Sequence, residues 1–189
     1  GYYLFNLADL YLAQGKLNEA LATFERAEKQ FGTLEEVSFK KQQIYLKQNN
    51  LDKALQEGEA LIAANPDQVR YVLAQAQMYA ANNRLADAIR VAEQALKQDP
   101  GNPRARMILA EVYRQQKNLP ESEKQVKLAF ESPLLDIDDK VRILVDYIKQ
   151  LPNPALTQTA LDLAAITTRV HPKEAKAFSI AGDIQTIVE

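Results

Sequence analysis

The sequence predicts an all-α fold built from tandem repeats of 34 residues, each a helix-turn-helix hairpin. Five of the eight tyrosines recur at this spacing: Tyr11, Tyr45, Tyr79, Tyr113 and Tyr147. Small or apolar residues keep two more columns in register: Ala20, Ala54, Ala88 and Ser122, then Ala27, Leu61, Ala95 and Ala129. A hairpin of this length cannot bury its apolar face alone, so the hairpins are expected to stack into an α-solenoid.

Within each repeat, positions 4, 7, 8 and 11 share one face of the first helix, which we expect to be its packing face. A short polar break then marks the turn, in the order Gly15-Lys16, Asn49-Asn50, Asn83-Arg84 and Lys117-Asn118. The small residue at position 20 lets the second helix approach closely. The tyrosine at position 11 lies at that contact, where its ring fills space and its hydroxyl reaches a polar neighbour.

The ends of the helices are marked by residues that stop or cap them. Each of the first four repeats ends near a glycine or proline that terminates a helix: Gly32, Pro66, Pro100 and Pro133. Asn102 and Asn153 each precede a proline and are predicted N-caps. Thr33 with Glu36 gives a capping-box pattern.

We expect one continuous array over residues 1–189. The repeats are predicted at 1–34, 35–68, 69–102, 103–136 and, in a longer and divergent form, 137–174, followed by a partial repeat or capping helix at 175–189. In the fifth repeat the segment LPNPAL lengthens the turn, which predicts helices at 138–150 and 154–170. Because position 1 is Gly and the sixth repeat is unfinished, we expect the chain to be a fragment of a longer protein.

These residues resemble the tetratricopeptide repeat, whose pattern combines Trp-x-x-Leu-Gly-x-x-Tyr with a later Ala-x-x-x-Phe and a final Pro. The first repeat supplies matching residues at Leu4, Leu7, Ala8, Tyr11, Ala20, Phe24 and Ala27. The third supplies Val72, Ala76, Tyr79, Ala88, Ala92, Ala95 and Pro100. The resemblance implies a right-handed solenoid. The inserted turn LPNPAL and the segment DIDDK before it show a weaker resemblance to tandem-repeat proteins of bacterial cell envelopes.

The second repeat departs most from the pattern. Ser38, Lys41 and Gln42 lie at packing positions, and Gly58 stands where the pattern has phenylalanine. These polar residues either loosen a hinge or are compensated by neighbouring apolar side chains, and we favour compensation by Val37, Phe39 and Ile44.

Composition excludes several classes of function. Lysine and arginine number 23 against 25 acidic residues, and this balance does not favour nucleic acid as a partner. Cysteine is absent, which excludes thiol catalysis and zinc-thiolate sites. No apolar run in this segment is long enough to span a membrane. The compartment stays open between the cytoplasm and a bacterial periplasm or envelope, and the oligomeric state is undetermined.

The sequence contains no set of residues typical of an active site, so we expect no catalytic residues, no cofactor and no metal site. His171 is the single histidine, and we expect it at a helix C-terminus interacting with the helix dipole. The acidic pairs Glu35-Glu36 and Asp138-Asp139 are expected to open helices, where the dipole favours them. Lys40-Lys41 is expected to carry solvated ammonium groups on packed stems.

The first helices should also share an outward face at positions 2, 5, 9 and 12. In tetratricopeptide repeat proteins this face receives extended or helical peptides, so the resemblance implies a peptide-binding groove. Our candidate groove residues are Gln43, Arg70, Gln77, Arg104, Glu111, Arg114 and Arg142. Arg70 and Arg104 would together suit a carboxylate. The alternative is that neighbouring acidic residues neutralise each arginine.

The leading hypothesis is a noncatalytic scaffold that binds a peptide or protein segment. The alternative is a regulatory or substrate-recruiting repeat region of a larger enzyme. A catalytic domain in the full-length reading frame would favour the alternative.

Replacing Tyr79 by Ala tests the predicted burial of the repeated tyrosine. We expect this change to lower the free energy of unfolding by about 3 to 5 kcal/mol, because it removes a large ring from a packed interface. Urea unfolding measures the loss. A change below about 1 kcal/mol, as is usual for surface substitutions, would contradict the assignment.

Overall fold

A computed structural model describes residues 2–189, and these residues form eleven α-helices and no strand. The first five are α1 (Tyr2–Ala13), α2 (Leu17–Phe31), α3 (Glu35–Lys47), α4 (Leu51–Ala64) and α5 (Val69–Ala81). The other six are α6 (Leu85–Gln98), α7 (Pro103–Gln115), α8 (Leu119–Phe130), α9 (Ile137–Ile148), α10 (Pro154–Val170) and α11 (Ala175–Val188). The predicted all-α class is confirmed.

The described residues divide into two compact units. The N-terminal unit runs to Tyr79, and the C-terminal unit spans Ala80–Glu189. In the N-terminal unit α1 packs against α2, and α3 packs against α4. In the C-terminal unit α7 packs against α6 and α8, while α9, α10 and α11 pack on one another. The predicted hairpins α1–α2, α3–α4 and α7–α8 therefore form within the units.

A residue in the left-handed backbone region closes the turn inside each of the first four repeats. These residues share one repeat position: Gly15, Asn49, Asn83 and Lys117, with φ angles of 71°, 55°, 59° and 60°. In the first, second and fourth repeats the N–H of the next residue donates to a tyrosine carbonyl, from Lys16 to Tyr11 at 2.9 Å, from Asn50 to Tyr45 at 2.8 Å and from Asn118 to Tyr113 at 2.9 Å. This arrangement is the Schellman motif, which satisfies carbonyls left free at a helix end.

The side chains of the repeated tyrosines are all at least half-buried. Tyr45 and Tyr79 are buried, and Tyr11, Tyr113 and Tyr147 are half-buried. The Tyr79 hydroxyl donates to Glu59 Oε1 at 2.6 Å, as expected for a buried tyrosine with a polar neighbour.

The small-residue column is buried throughout the first four repeats. Ala20 and Ala54 lie in the hairpins α1–α2 and α3–α4, and both they and Ala88 are fully buried. Ser122 takes the same position in the fourth repeat, and its Oγ donates to the Ala110 carbonyl at 2.7 Å. A larger side chain here would push the paired helices apart, because protein interiors are close-packed.

Lys41 differs from expectation, because its ammonium group is buried and not solvated. Its Nζ contacts Glu28 Oε2 and Glu57 Oε1, each at 2.7 Å. Burial lowers the pKa of Lys41, but hydrogen bonds and charge from the two carboxylates outweigh burial, so the net shift is upward. Lys40 remains partly exposed, and its Nζ lies 2.7 Å from Asp9. The prediction of a solvated head is therefore wrong for Lys41, whose partners come from α2 and α4.

The glycine at position 58 leaves room for a side chain from α5. A Cβ added at Gly58 would lie 1.9 Å from Gln75 Oε1 and 2.7 Å from Gln42 Nε2. Gln75 is buried, and its Nε2 donates to the Leu55 carbonyl at 2.9 Å. Val37 and Ile44 are buried as well. The space that an aromatic ring would fill in this repeat is thus occupied by a glutamine.

Two of the three predicted helix caps are confirmed. The side chain of Asn102 accepts from the N–H of Ala105 at 3.0 Å, and that of Asn153 accepts from Ala155 at 3.1 Å. The Thr33 capping box is wrong, because α3 begins at Glu35 with Leu34 as its N-cap residue and no side-chain cap. The extended backbone of Leu34 shifts the helix start past the predicted cap.

The lengthened fifth repeat forms the two helices expected, α9 and α10. After it, α11 packs against both of them and buries Ala177, Ile180 and Ile184. On another face of α11, the side chain of Phe178 is 54% exposed.

Replacing Lys117 by Gly should raise the free energy of unfolding by about 1 kcal/mol, because the left-handed conformation is strained for residues with a Cβ. Gln116→Gly is the matched control, since its φ of -75° suits ordinary residues. We expect the control to lose about 0.5 to 1 kcal/mol in urea unfolding. A loss of stability in Lys117→Gly would contradict this account of the turn.

Candidate functional site

The candidate groove residues of the N-terminal unit are exposed. Gln43 lies on α3, and Arg70 and Gln77 lie on α5. Arg70 Nη2 lies 2.7 Å from Glu35 Oε2, and the Tyr71 hydroxyl donates to the same oxygen at 2.9 Å. The Arg70 guanidinium also stacks over the Tyr71 ring, 4.7 Å from its centroid. The Arg70 side chain is still 60% exposed, so part of its surface remains open to a ligand.

The remaining candidates belong to the C-terminal unit. Arg104 is exposed in the first turn of α7. Arg114 contacts Glu111 Oε2 at 2.7 Å, and Arg142 contacts Asp139 at 2.6 Å. The combination of Arg70 with Arg104 involves both units and stays a prediction.

Two of these candidates line a cleft of about 570 Å³ in the C-terminal unit, here called the α7–α9 cleft. Glu111 and Arg114 come from α7. Apolar lining comes from three helices: Met107 and Ala110 on α7, Val126 on α8, and Ile143 and Tyr147 on α9. Burial, followed by the charge of Glu123, raises the pKa of Tyr147, so its hydroxyl is neutral at physiological pH.

Ion pairs within single helices border the cleft. On α7, Arg114 Nε and Nη2 both donate to Glu111 Oε2, at 2.9 and 2.7 Å. Burial raises the pKa of Glu111, but hydrogen bonds from Gln115 and Arg114 outweigh burial and lower it overall. At the end of α9, the C-cap residue Lys149 donates from Nζ to Asp146 Oδ1 at 2.8 Å. The charged border is therefore locally neutral.

The connection between α8 and α9 leads into the helix that forms one wall of the cleft. The connection between Phe130 and Ile137 is longer than the one between α6 and α7, which runs from Gln98 to Pro103. Leu135 anchors this connection in the core. From there α9 packs against α10 and α11. The inner wall of α9 thus faces α7 and α8 across the cleft, which Ile143 and Tyr147 line from the α9 side.

Lys140, near the start of α9, is a buried charge that the sequence analysis missed. Its side chain is 0% exposed, and Nζ donates to the Ser132 carbonyl at 3.0 Å. Nζ also lies 2.9 Å from His171 Nε2 and 5.9 Å from the centroid of the Phe130 ring. Ser132 follows the end of α8 and His171 is the C-cap of α10, so the ammonium lies near two helix C-termini.

Burial lowers the pKa of Lys140 to about 8, against a smaller opposing effect of the Glu131 charge. Among the described residues Lys140 forms no salt bridge, which distinguishes it from Lys41. A signal was present in the sequence, because Lys140 falls at packing position 4 of the fifth repeat. His171 lies at the helix C-terminus, as predicted, and its additional contact with Lys140 was not foreseen.

Within residues 2–189, no cluster of His, Cys, Asp and Glu side chains has an arrangement suited to a metal ion. Over the same residues, every helix is too short or too polar to cross a bilayer.

Comparisons with known proteins support the repeat assignment. A profile of the tetratricopeptide repeat matches residues 5–69, 39–103 and 73–133. No curated protein matches the sequence significantly.

Three similar solved structures share the fold at low sequence identity. A thermophilic tetratricopeptide repeat protein of Thermus thermophilus is 20% identical over 97% of each chain, with a TM-score of 0.51. A double mutant of MamA RS-1 is 12% identical over 90% of this chain and 96% of that one, with a TM-score of 0.57. YrrB, described as having an unusual peptide-binding site, is 15% identical over 93% of this chain and 89% of its own, with a TM-score of 0.52. The predicted class, an all-α helical-repeat solenoid, is confirmed.

Replacing Lys140 by Met removes the buried charge while keeping most of the side-chain volume. The folded-state pKa of about 8 is below the ordinary 10.5, so the unfolded chain binds more protons between these pH values. The free energy of unfolding of the parent protein therefore increases as pH rises through this window. Lys140→Met should not show this increase. At neutral pH we expect Lys140→Met to be more stable by about 1 to 3 kcal/mol.

Urea unfolding of both proteins across this pH range provides the measurement. The difference between them isolates Lys140 from the other groups that titrate there. If the free energies of unfolding of the two proteins vary with pH in parallel, the buried charge of Lys140 is not destabilising.

Proposed function

Because this chain belongs to the tetratricopeptide repeat family, we propose that it is a noncatalytic scaffold that binds a peptide or protein segment. The family profile covers more than half of the chain, and proteins built from this repeat are generally interaction scaffolds. The residues that we propose for partner binding are Gln43, Arg70 and Gln77 in the N-terminal unit and Arg104, Glu111, Arg114 and Arg142 in the C-terminal unit.

The observation that carries this proposal is the α7–α9 cleft. It is large enough for one or two side chains, and its lining is mostly apolar. Glu111 and Arg114, chosen from their repeat positions, both line it. Concave apolar sites with a few placed polar groups are the usual form of a binding site.

The chemistry of the cleft favours an apolar anchor residue in the partner. Met107, Ile143 and Tyr147 offer apolar surface, and thioether and aromatic groups adapt to side chains of different shape. The charges at the border already satisfy one another within α7 and α9. An incoming carboxylate would have to displace Glu111 from Arg114, whereas a Leu, Ile or Phe side chain would displace only water. We therefore propose a segment with one bulky apolar anchor.

Panning a displayed random peptide library on the protein supplies a probe. Ile143→Thr removes the terminal methyl group and places a hydroxyl in the cleft, and we expect it to weaken binding of the selected peptide about ten-fold, or by about 1.4 kcal/mol. Fluorescence anisotropy gives the affinity, and thermal melting monitors stability.

Ile166→Thr is the matched control, because Ile166 is also partly buried in the same core cluster but does not line the cleft. Equal affinities for the two variants would exclude the cleft as the binding site. The double variant Arg70→Ala and Arg104→Ala, measured with the same peptide, tests the arginine pair. Weaker binding at unchanged melting temperature would assign the contact to these arginines.

A further inference from the structure

The residues that line the α7–α9 cleft repeat part of the core of the N-terminal unit. Several of them stand three repeats after a counterpart there: Met107 after Phe5, Ala110 after Ala8, Ser122 after Ala20, Val126 after Phe24, and Tyr147 after Tyr45. These counterparts all belong to one core cluster or pack against it. The walls of the cleft therefore correspond, position by position, to residues that enclose a filled core in the first repeat.

The two places differ at repeat position 24, where the first repeat has an aromatic ring. Phe24 of α2 is buried, and Lys40 of α3 lies with its Nζ 5.9 Å from the centroid of the Phe24 ring. The fourth repeat has the shorter Val126 at this position, and Val126 lines the cleft. The cleft is therefore open at the repeat position that an aromatic side chain fills in the first repeat.

The second repeat shows that a side chain from elsewhere can fill this space. Gly58 stands at position 24 of that repeat, and Gln75 of α5 occupies the space beside it. Gln75 holds position 7 of its repeat, as Ile143 does in the fifth repeat. Ile143 lines the α7–α9 cleft without filling its volume of about 570 Å³. In the fourth repeat the space is thus available to a side chain of a partner.

We propose that the α7–α9 cleft binds a phenylalanine side chain of the partner segment, in the position that Phe24 takes in the first repeat. This inference rests on the proposed function and names the residue by which the partner is recognised. The floor of the cleft continues the interface of the α7–α8 hairpin, because Ser122 and Ala110 line it and the Ser122 Oγ donates to the Ala110 carbonyl. A bound ring would therefore extend an interface that the fold already contains.

The lining favours an aromatic ring over an aliphatic side chain. Met107 offers a thioether and Tyr147 a ring, and both interact favourably with an aromatic neighbour beyond the burial of apolar surface. A leucine anchor would gain only the burial. The ion pairs that border the cleft leave little net charge, which matches an uncharged ring.

Peptides selected by panning test this preference on the parent protein. Among peptides that bind more weakly to Ile143→Thr, we expect phenylalanine to recur as the anchor. Replacing that phenylalanine by leucine should weaken binding about three- to ten-fold in fluorescence anisotropy, the range expected for lost aromatic contacts. Equal or tighter binding of the leucine peptide, or anchors without phenylalanine, would overturn the inference and leave the proposed function intact.

Val126→Phe restores the ring of the first repeat within the chain itself. We expect it to weaken binding of the phenylalanine peptide at least about ten-fold, because the new side chain competes for the same space. Val126→Ala is the matched control, since it leaves the space open and should keep the preference for phenylalanine over leucine. Undiminished binding to a Val126→Phe protein that melts cooperatively would overturn the inference. If Val126→Phe does not fold, the comparison of the two peptides on the parent protein decides.

A small probe separates this inference from the proposed function. N-acetyl-L-phenylalaninamide carries the ring without a partner protein, and N-acetyl-L-leucinamide is its aliphatic counterpart. We expect the first to bind at least about three-fold more tightly in NMR titrations that follow the methyl signals of Met107, Val126 and Ile143. The methyl signals of Ile166, which does not line the cleft, are the control and should stay unchanged.

The two kinds of failure are then distinguishable. If panning yields no peptide that depends on Ile143, the proposed function fails at the cleft, and the probe titrations alone decide the preference for a ring. Equal affinities of the two probes, or no shift of the cleft signals with either, would overturn that preference.

Discussion

The reversal of the chain between paired helices is the constraint on which the repeat depends. Each turn in the first four repeats contains one left-handed residue, and in three of them the next N–H donates to a tyrosine carbonyl. Glycine and asparagine meet this need easily, and Lys117 meets it with strain. Because the reversal is fixed at the backbone, the two helices meet in a constant register. That register is why a small residue, alanine or serine, recurs at this position.

The parts of the structure that depend on local periodicity could be predicted from the sequence. The turn positions, the alanine columns and the caps at Asn102 and Asn153 all follow from residues close together in the chain. Glu111 and Arg114 were also found by repeat position, but the cleft between them and α9 was not. Its shape depends on the course of the α8–α9 connection, which local propensity does not determine.

Long polar side chains account for most of the remaining differences between the sequence-based predictions and the structure. Lys41 and Lys140 both occupy packing positions, yet one finds two carboxylates and the other finds a carbonyl and an imidazole. A lysine stem reaches partners on helices more than ten residues away in the chain. Sequence position therefore shows that such a residue is buried, and only the fold shows which groups surround it. Gln75 beside Gly58 follows the same rule across α4 and α5.

The locally neutral border of the α7–α9 cleft has a kinetic consequence. Charged proteins draw partners in by long-range fields, which speeds encounter and makes it sensitive to salt. Here the formal net charge is only -2, and the acidic and basic groups at the cleft cancel within a single turn of helix. Encounter would then proceed at the unsteered rate of about 10⁵ to 10⁶ M⁻¹s⁻¹. The lifetime of a complex, set by how well an apolar side chain fits between α7 and α9, would distinguish one partner from another.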